Sequence, residues 1–150
     1  MKTSGEGIAL IKKFEGCKLN AYQCSAGVWT IGYGTTQGVQ EGDTCTQDEA
    51  ENSLADDLFK FEKIIHKQVN VPLEQHEFDA LVSWVYNLGG GNLAESTLLV
   101  RINDDTDSSR RDIPHQIRRW NRAGGEVLDG LVRRREAEAL MWQGREWHEV

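Results

Sequence analysis

Residues 14–34 read FEGCKLNAYQCSAGVWTIGYG, and the reading of this stretch decides the fold. It begins inside a helical pattern. Ile8, Ile11 and Phe14 recur at helical spacing with Leu10 beside them, and Gly16 supplies a stop signal. Glu15 therefore falls in the last helical turn. The negative end of the helix dipole disfavours an ionised carboxylate there, which suits a group that has to keep a proton. From Cys17 onward the period changes. Tyr22, Val28, Trp29, Ile31, Tyr33 and Val39 are strand formers, punctuated by Gly27, Gly32, Gly34, Gly38 and Gly42. A small antiparallel sheet of two or three strands is expected. The close pair Gly32 and Gly34 points to backbone that another group approaches. An acid mounted between a helix end and a hairpin is rigidly held, as a precise site requires.

Upstream, Thr3 and Glu6 match a capping box for this first helix. Downstream, Thr46-Gln47-Asp48-Glu49 is a second match. It opens a long helix to about Gln68, with Ala50, Leu54, Leu58, Phe61, Ile65 and Val69 along one stripe and Pro72 as its end. A helix is expected over Glu74 to Leu88, with Phe78, Leu81, Val82, Val85 and Tyr86 as its apolar set and Gly89-Gly90-Gly91 as its stop. Ser96 or Thr97 caps a short helix through Leu98, Leu99 and Ile102, and residues 103–107 form a polar loop. Another helix runs from about Ser109 to Trp120, interrupted or started at Pro114. Residues 121–125 read as a loop, and Asp129 or Gly130 opens a last helix from Leu131 to about Gln143. The expected fold class is α+β, mostly helical. A small β-lobe near the N-terminus, about residues 15–60, is joined by the long helix to a helical lobe of about 70–150. The first helix packs with that helical lobe. With no repeat and no linker, 150 residues read as one domain.

Charge narrows the function. The net charge is −7, all seven Lys lie before residue 68, and all ten Arg lie from Arg101 onward. The first hundred residues hold fourteen acids against seven Lys, so no basic stripe is present and nucleic-acid binding is excluded. Arg110-Arg111, Arg118-Arg119 and Arg133-Arg134-Arg135 could make a local anion site, but most of these arginines read as solvated helix faces paired with Glu126, Glu136 and Glu138. No apolar run is long enough to span a bilayer and none resembles a secretory signal, so cytosolic synthesis without membrane insertion is expected. Cys17, Cys24 and Cys45 form no disulfide framework, which fits a reducing compartment. Neither they nor His66, His76, His115 and His148 have metal-ligand spacing, and no metal site is expected.

Glu15 is flanked by Tyr22, Trp29, Thr30 and Tyr33, aromatics and polar groups of the kind that line a sugar cleft. Glycoside hydrolysis needs a proton donor and, as a rule, a second carboxylate. No Asp or Glu lies between Glu15 and Glu41, so the residues alone leave that chemistry open. Cys24 as a thiol nucleophile is the alternative, but no His stands near it in sequence to act as base. Cys17 and Cys45 read as small, partly buried hydrophobes.

The spacing Glu15, eight residues, Cys24, five residues, Thr30 resembles the signature of the phage-type lysozymes, glycoside hydrolase family 24. That signature is Glu, eight residues, Asp or Cys, five residues, Thr. The surrounding FEGCKLNAYQCSAGVWTIGYGTT, the stretch FDALVSWVYNLGGGNLAESTLL at 78–99 and RRWNRAGGEVLDGLVRRREAEALMW at 118–142 resemble family segments in the same order. The likeness spans roughly residues 4–143. It implies a lysozyme-like fold and an endolysin that cleaves the β-1,4 bond between N-acetylmuramic acid and N-acetylglucosamine, usually with inversion. It also implies a monomer on peptidoglycan glycan strands, with no cofactor, held in the host cytoplasm until a holin releases it to the wall.

By the same resemblance Glu15 is the general acid. Cys24 stands where most members carry the Asp that orients the attacking water, and Thr30 helps hold that water. Tyr86, Asn87, Gly34, Thr36 and Asn121 fall at substrate-contact positions, and Arg133 or Arg134 pairs with Glu15. Two departures stand out. A cysteine is a poor acceptor unless ionised, and its reference pKa is about 8.5. Thr35 stands where the family commonly has His. Two rival readings follow: a lytic transglycosylase, which needs only one Glu, and a non-catalytic peptidoglycan-binding homologue.

Overall fold

A computed structural model describes all residues, Met1–Val150. The chain runs α1 (Gly5–Glu15), β1 (Lys18–Gln23), β2 (Trp29–Gly32), α2 (Gln47–Gln68), α3 (Gln75–Leu88), α4 (Gly90–Glu95), α5 (Thr97–Asp104), α6 (Asp107–Arg118), β3 (Arg122–Ala123), β4 (Glu126–Val127) and α7 (Asp129–Trp142). This is the mostly helical α+β architecture expected. The sheet near the N-terminus has two strands, β1 antiparallel to β2, with Tyr22 opposite Thr30 and Gln23 opposite Trp29. Single bridges at Asn20–Thr44 and Ile31–Thr35 extend the pairing without adding a third strand.

The helical part is built round α3. Nine consecutive residues from Glu77 to Val85 are buried, so this helix is surrounded instead of lying on a surface. It packs on α1, α2 and α7. Its Trp84 is fully buried and meets Trp120 edge-on, centroids 5.2 Å apart. Replacing such a Trp by Ala typically costs about 3–5 kcal/mol. Leu10 and Ile11 of α1, Ile113 and Ile117 of α6, and Met141 and Trp147 close the same core. Helix α1 thus belongs to the helical part although the sheet follows it in sequence.

Helix α2 matches its expected stripe, with Ala50, Leu54, Leu58 and Ile65 buried, and its capping box is present in full between Thr46 and Glu49. It stops at Gln68, before Pro72. The Asn103 side-chain amide donates to the Gln68 carbonyl at 3.0 Å and satisfies that helix end.

Several expectations are corrected. Thr3 and Glu6 form no capping box. The Thr3 amide and hydroxyl both donate to Glu62, and Ser4 binds Asp79, so distant carboxylates outcompete the local acid. The three glycines end α3 at Gly89 but continue as the first turn of α4. Helix α6 starts earlier, is capped by Thr106, and passes through Pro114 without interruption. Residues 121–125 are part of a small hairpin, Arg122–Ala123 paired with Glu126–Val127.

Candidate active site

Glu15 is the last residue of α1, and its carboxylate lies where three elements converge. From α7, Arg134 Nη1 donates to Glu15 Oε2 at 2.5 Å. From the turn after β2, the Gly34 backbone comes so close that an added Cβ would lie 3.1 Å from Glu15 Oε1 and 3.6 Å from the Tyr86 ring. Gly34 also has φ +92, a conformation that only glycine adopts freely. Gly32 approaches α2 in the same way, with Ala50 Cβ 3.3 Å from an added Cβ. The close glycine pair therefore marks two approaches, one to a helix and one to the acid.

Tyr86 on α3 reaches across to the sheet. Its hydroxyl donates to the Tyr33 carbonyl, and its ring lies 5.2 Å from Phe61 of α2. Burial, followed by the charges of Asp57 and Glu15, pushes its phenol far above the usual tyrosine range. It is a strut between the two parts of the molecule as well as a neighbour of the acid.

Cys24 and Thr30 sit at the far end of the hairpin. Cys24 and Val28 close its tip, with Cys24 N–H donating to the Val28 carbonyl at 2.9 Å and Gly27 N–H to the Cys24 carbonyl at 2.8 Å. The backbone amides of Val28 and Ala26 in this turn favour a charged sulfur. These donors, aided by the Thr30 hydroxyl, hold the Cys24 thiol below its ordinary pKa. The buried Thr30 hydroxyl also lies 3.0 Å from the Val28 carbonyl. With one proton it can serve the carbonyl beside a thiol or turn to a thiolate. Tyr22 stands opposite Thr30 in the sheet. Burial, then the charges of Glu15 and Cys24, raise its phenol.

A cavity of about 530 Å³ opens beside Glu15, lined among others by Lys13, Asn87, Leu131, Arg133, Arg134 and Val150. Asn87 is exposed on its wall. Thr36 is exposed in the turn after Thr35, and its carbonyl accepts from Val39 N–H at 3.3 Å. Asn121 closes the base of the β3–β4 hairpin through its backbone, accepting from Leu128 N–H at 3.1 Å. Of the expected site residues, the wall of this cavity includes Glu15 and Asn87 but not Cys24, Thr30, Gly34, Thr36, Tyr86 or Asn121. Thr35, in place of the family's usual His, donates to Asp57 Oδ2 at 2.7 Å and makes no bond to Glu15. Cys17 and Cys45 are partly buried against the core, as expected.

Arg134 is the arginine that pairs with Glu15, one of the two that the resemblance implied, but the expected solvated helix face is corrected for Arg134 and Arg135. Arg133 is exposed, and Arg118 pairs with Glu136 as expected. Arg134 and Arg135 are instead buried, at 4% and 0% exposure, around the fully buried Glu138. Arg134 Nε donates to Glu138 Oε2 at 3.2 Å, and its Nη2 reaches the Ser83 carbonyl at 3.1 Å. Ser83 Oγ donates to the same Glu138 oxygen at 2.5 Å, and Arg135 Nη2 does so at 3.1 Å. Arg135 Nε lies 2.6 Å from Glu138 Oε1, an ionic contact whose N–H is not aligned on the oxygen. Burial pushes the Arg135 guanidinium down, and the Glu138 charge opposes it. The signal in the sequence was the spacing: Glu138 stands four residues after Arg134 and three after Arg135, on one helix face.

Comparison with known proteins identifies the family. The phage lysozyme family matches residues 12–138. An endolysin of Acyrthosiphon pisum secondary endosymbiont phage 1 is 38% identical over 147 residues, covering 95% of this chain and 99% of that one. The endolysin of Bacillus phage B103 is 38% identical over 145 residues, and the chain spans about half of its length, 54%. Among solved structures, an endolysin from Escherichia coli O157:H7 phage FAHEc1 superposes with a TM-score of 0.84 at 37% identity. That match covers 95% of this chain and 93% of the other. A family match over most of the residues, a close full-length relative and a shared fold lead to one assignment: the chain belongs to the phage lysozyme family.

Proposed function

We propose that this protein is an endolysin, a muramidase that hydrolyses the β-1,4 bond between N-acetylmuramic acid and N-acetylglucosamine in peptidoglycan. The observation that carries the reading is the placement of Glu15. It is the last residue of a buried-faced helix, lies in a cavity mouth, and is held by Arg134 and the Gly34 turn. Glu15 gives its proton to the leaving glycosidic oxygen, and Arg134 holds the carboxylate that remains. Water attacks the anomeric carbon, and its proton passes to the Cys24 thiolate. Thr30 beside Cys24 supplies a hydroxyl to fix that water. The lowered pKa of Cys24 supports its use in place of the carboxylate that most relatives carry.

Gly34, Tyr86 and Asn87 border the acid and are assigned to glycan contact. Thr36 and Asn121 belong to the outer reaches of the cleft. The 150 residues act as one lysozyme-like domain and a monomer, with glycan strands as partner. The protein waits in the host cytoplasm and reaches the wall when a holin opens the membrane. No helix is long and apolar enough to cross a membrane. Recovery of the protein from the periplasm of infected cells whose membrane is still intact would contradict that route.

The test is mass spectrometry of fragments released from purified peptidoglycan by the wild type and by Glu15→Gln. Fragments with ordinary reducing muramic ends, absent with the variant, are expected. Anhydro-muramic ends would make it a transglycosylase instead. No fragments from folded wild type would leave a binding protein.

A further inference from the structure

Resting on the reading of Glu15 as the proton donor, the geometry points to Glu138 as a positioning residue for the reaction: it holds the Arg134 guanidinium that holds Glu15. Glu138 touches no part of the cavity. It is fully buried on α7, one turn beyond Arg134.

A guanidinium offers five N–H donors in a fixed planar fork. Arg134 uses the fork on three sides. Nη1 faces Glu15, Nε faces Glu138 Oε2 at 3.2 Å, and Nη2 faces the Ser83 carbonyl at 3.1 Å and hydroxyl at 3.3 Å. The plane cannot turn without breaking one of these contacts. The arm that meets Glu15 is therefore fixed by the two that do not. Glu138 Oε2 is the hub, since it accepts from Arg134, Arg135 and Ser83 together.

Charge makes the same assignment. Two guanidiniums, Arg134 and Arg135, are buried against one carboxylate, Glu138, and Glu15 is the second anion that the cluster meets. Without Glu138, two buried cations would be left with Glu15 alone. Arg135 would then repel Arg134, and only the Ser83 contacts would remain to set the plane of the fork, so the angle at which it meets Glu15 would no longer be fixed. Misplacement of a reacting group by about 1 Å can cost about a hundredfold in rate.

The experiment measures initial rates over a range of peptidoglycan concentrations for wild type, Glu138→Gln, Ser83→Ala, Arg134→Met and Glu138→Gln with Arg134→Met. Glu138→Gln keeps the shape and removes the charge. Its kcat is expected to fall by about tenfold or more with KM nearly unchanged, because positioning and not glycan binding is affected. Ser83→Ala removes one contact to each partner and no charge, so a smaller fall in kcat is expected. In the Arg134→Met background, Glu138→Gln should lower kcat no further.

Full kcat in folded Glu138→Gln would overturn the inference. So would an equal fall with and without Arg134, or a change confined to KM. If Glu138→Gln fails to fold, Ser83→Ala decides, and unchanged kcat there refutes the inference. An inactive wild type would instead refute the proposed function, and the positioning role with it.

Discussion

Gly34 and Glu15 are in close approach: a Cβ added at position 34 would stand 3.1 Å from the Glu15 carboxylate oxygen, tighter than ordinary van der Waals contact. The contact joins the turn after the hairpin to the end of the first helix, and it sets which way the acid can point.

Gly34→Ala should therefore damage the site in two ways. It places an L side chain at φ +92, a strain of roughly 1–3 kcal/mol, and it pushes the carboxylate away from Arg134. Hydrolysis is expected to fall at least about tenfold, more than the loss of stability explains. Rates at a temperature well below the melting transition check this. A variant as active as wild type would show that the close approach has no part in the reaction.

Cys24 should be the reactive thiol of the molecule. Amide donors from Val28 and Ala26 lower its pKa, whereas burial raises that of Cys45. The thiolate fraction of Cys24 thus grows at a lower pH than for an ordinary cysteine. Iodoacetamide at neutral pH should modify Cys24 ahead of Cys45 and abolish hydrolysis, as peptide mapping and rates would record. Cys24→Asp should stay active and become insensitive to the reagent, because the same amides receive a carboxylate. Preferential labelling of Cys45 would contradict this ordering.

Tyr86→Phe removes the hydroxyl that donates to the buried Tyr33 carbonyl. An acceptor stranded in this way costs about 1–3 kcal/mol. The wild-type phenol, raised by burial and by two neighbouring anions, should stay protonated at every pH where the fold persists. Ultraviolet titration checks it: one of the three tyrosines should ionise only on alkaline unfolding.

Thr35→Val removes the hydroxyl that donates to Asp57 Oδ2 at 2.7 Å and leaves that carboxylate, 15% exposed, with Lys60 Nζ 3.9 Å from Oδ1. The loss is expected to be about 1–3 kcal/mol, which for a chain of this size lowers Tm by roughly 2–4 °C per kcal/mol. Since Thr35 makes no bond to Glu15, kcat should stay close to that of wild type. A large fall in kcat with unchanged Tm would instead tie position 35 to the acid.

The parts of this fold that could be read from the sequence are those whose cause is local. Thr46 and Glu49 cap α2 because both partners stand within one turn. Thr3 and Glu6 have the same pattern and fail, because Glu62 and Asp79 arrive from other helices with better geometry. Gly89-Gly90-Gly91 could be read as a stop but not as a restart, since α4 is set by packing, with Gly90 tight against Ile64. In the site, the Glu15, Cys24 and Thr30 spacing was visible. The burial of Arg134 and Arg135 was not, because α7 mixes charged and apolar residues all round and periodicity carries no depth. Glu138, three and four residues on, was the legible clue to their pairing. Thr35's bond to Asp57 joins residues 22 apart and left no trace in local sequence.

The ion pair that holds the acid joins residues 119 apart, and the helix bearing the acid is walled in by the last helix. Synthesis runs from the N-terminus, so Glu15 leaves the ribosome long before Arg134 exists. A half-made or truncated chain has its acid without the arm that fixes it. The arrangement around Glu15 is therefore complete only once the last helix has been made.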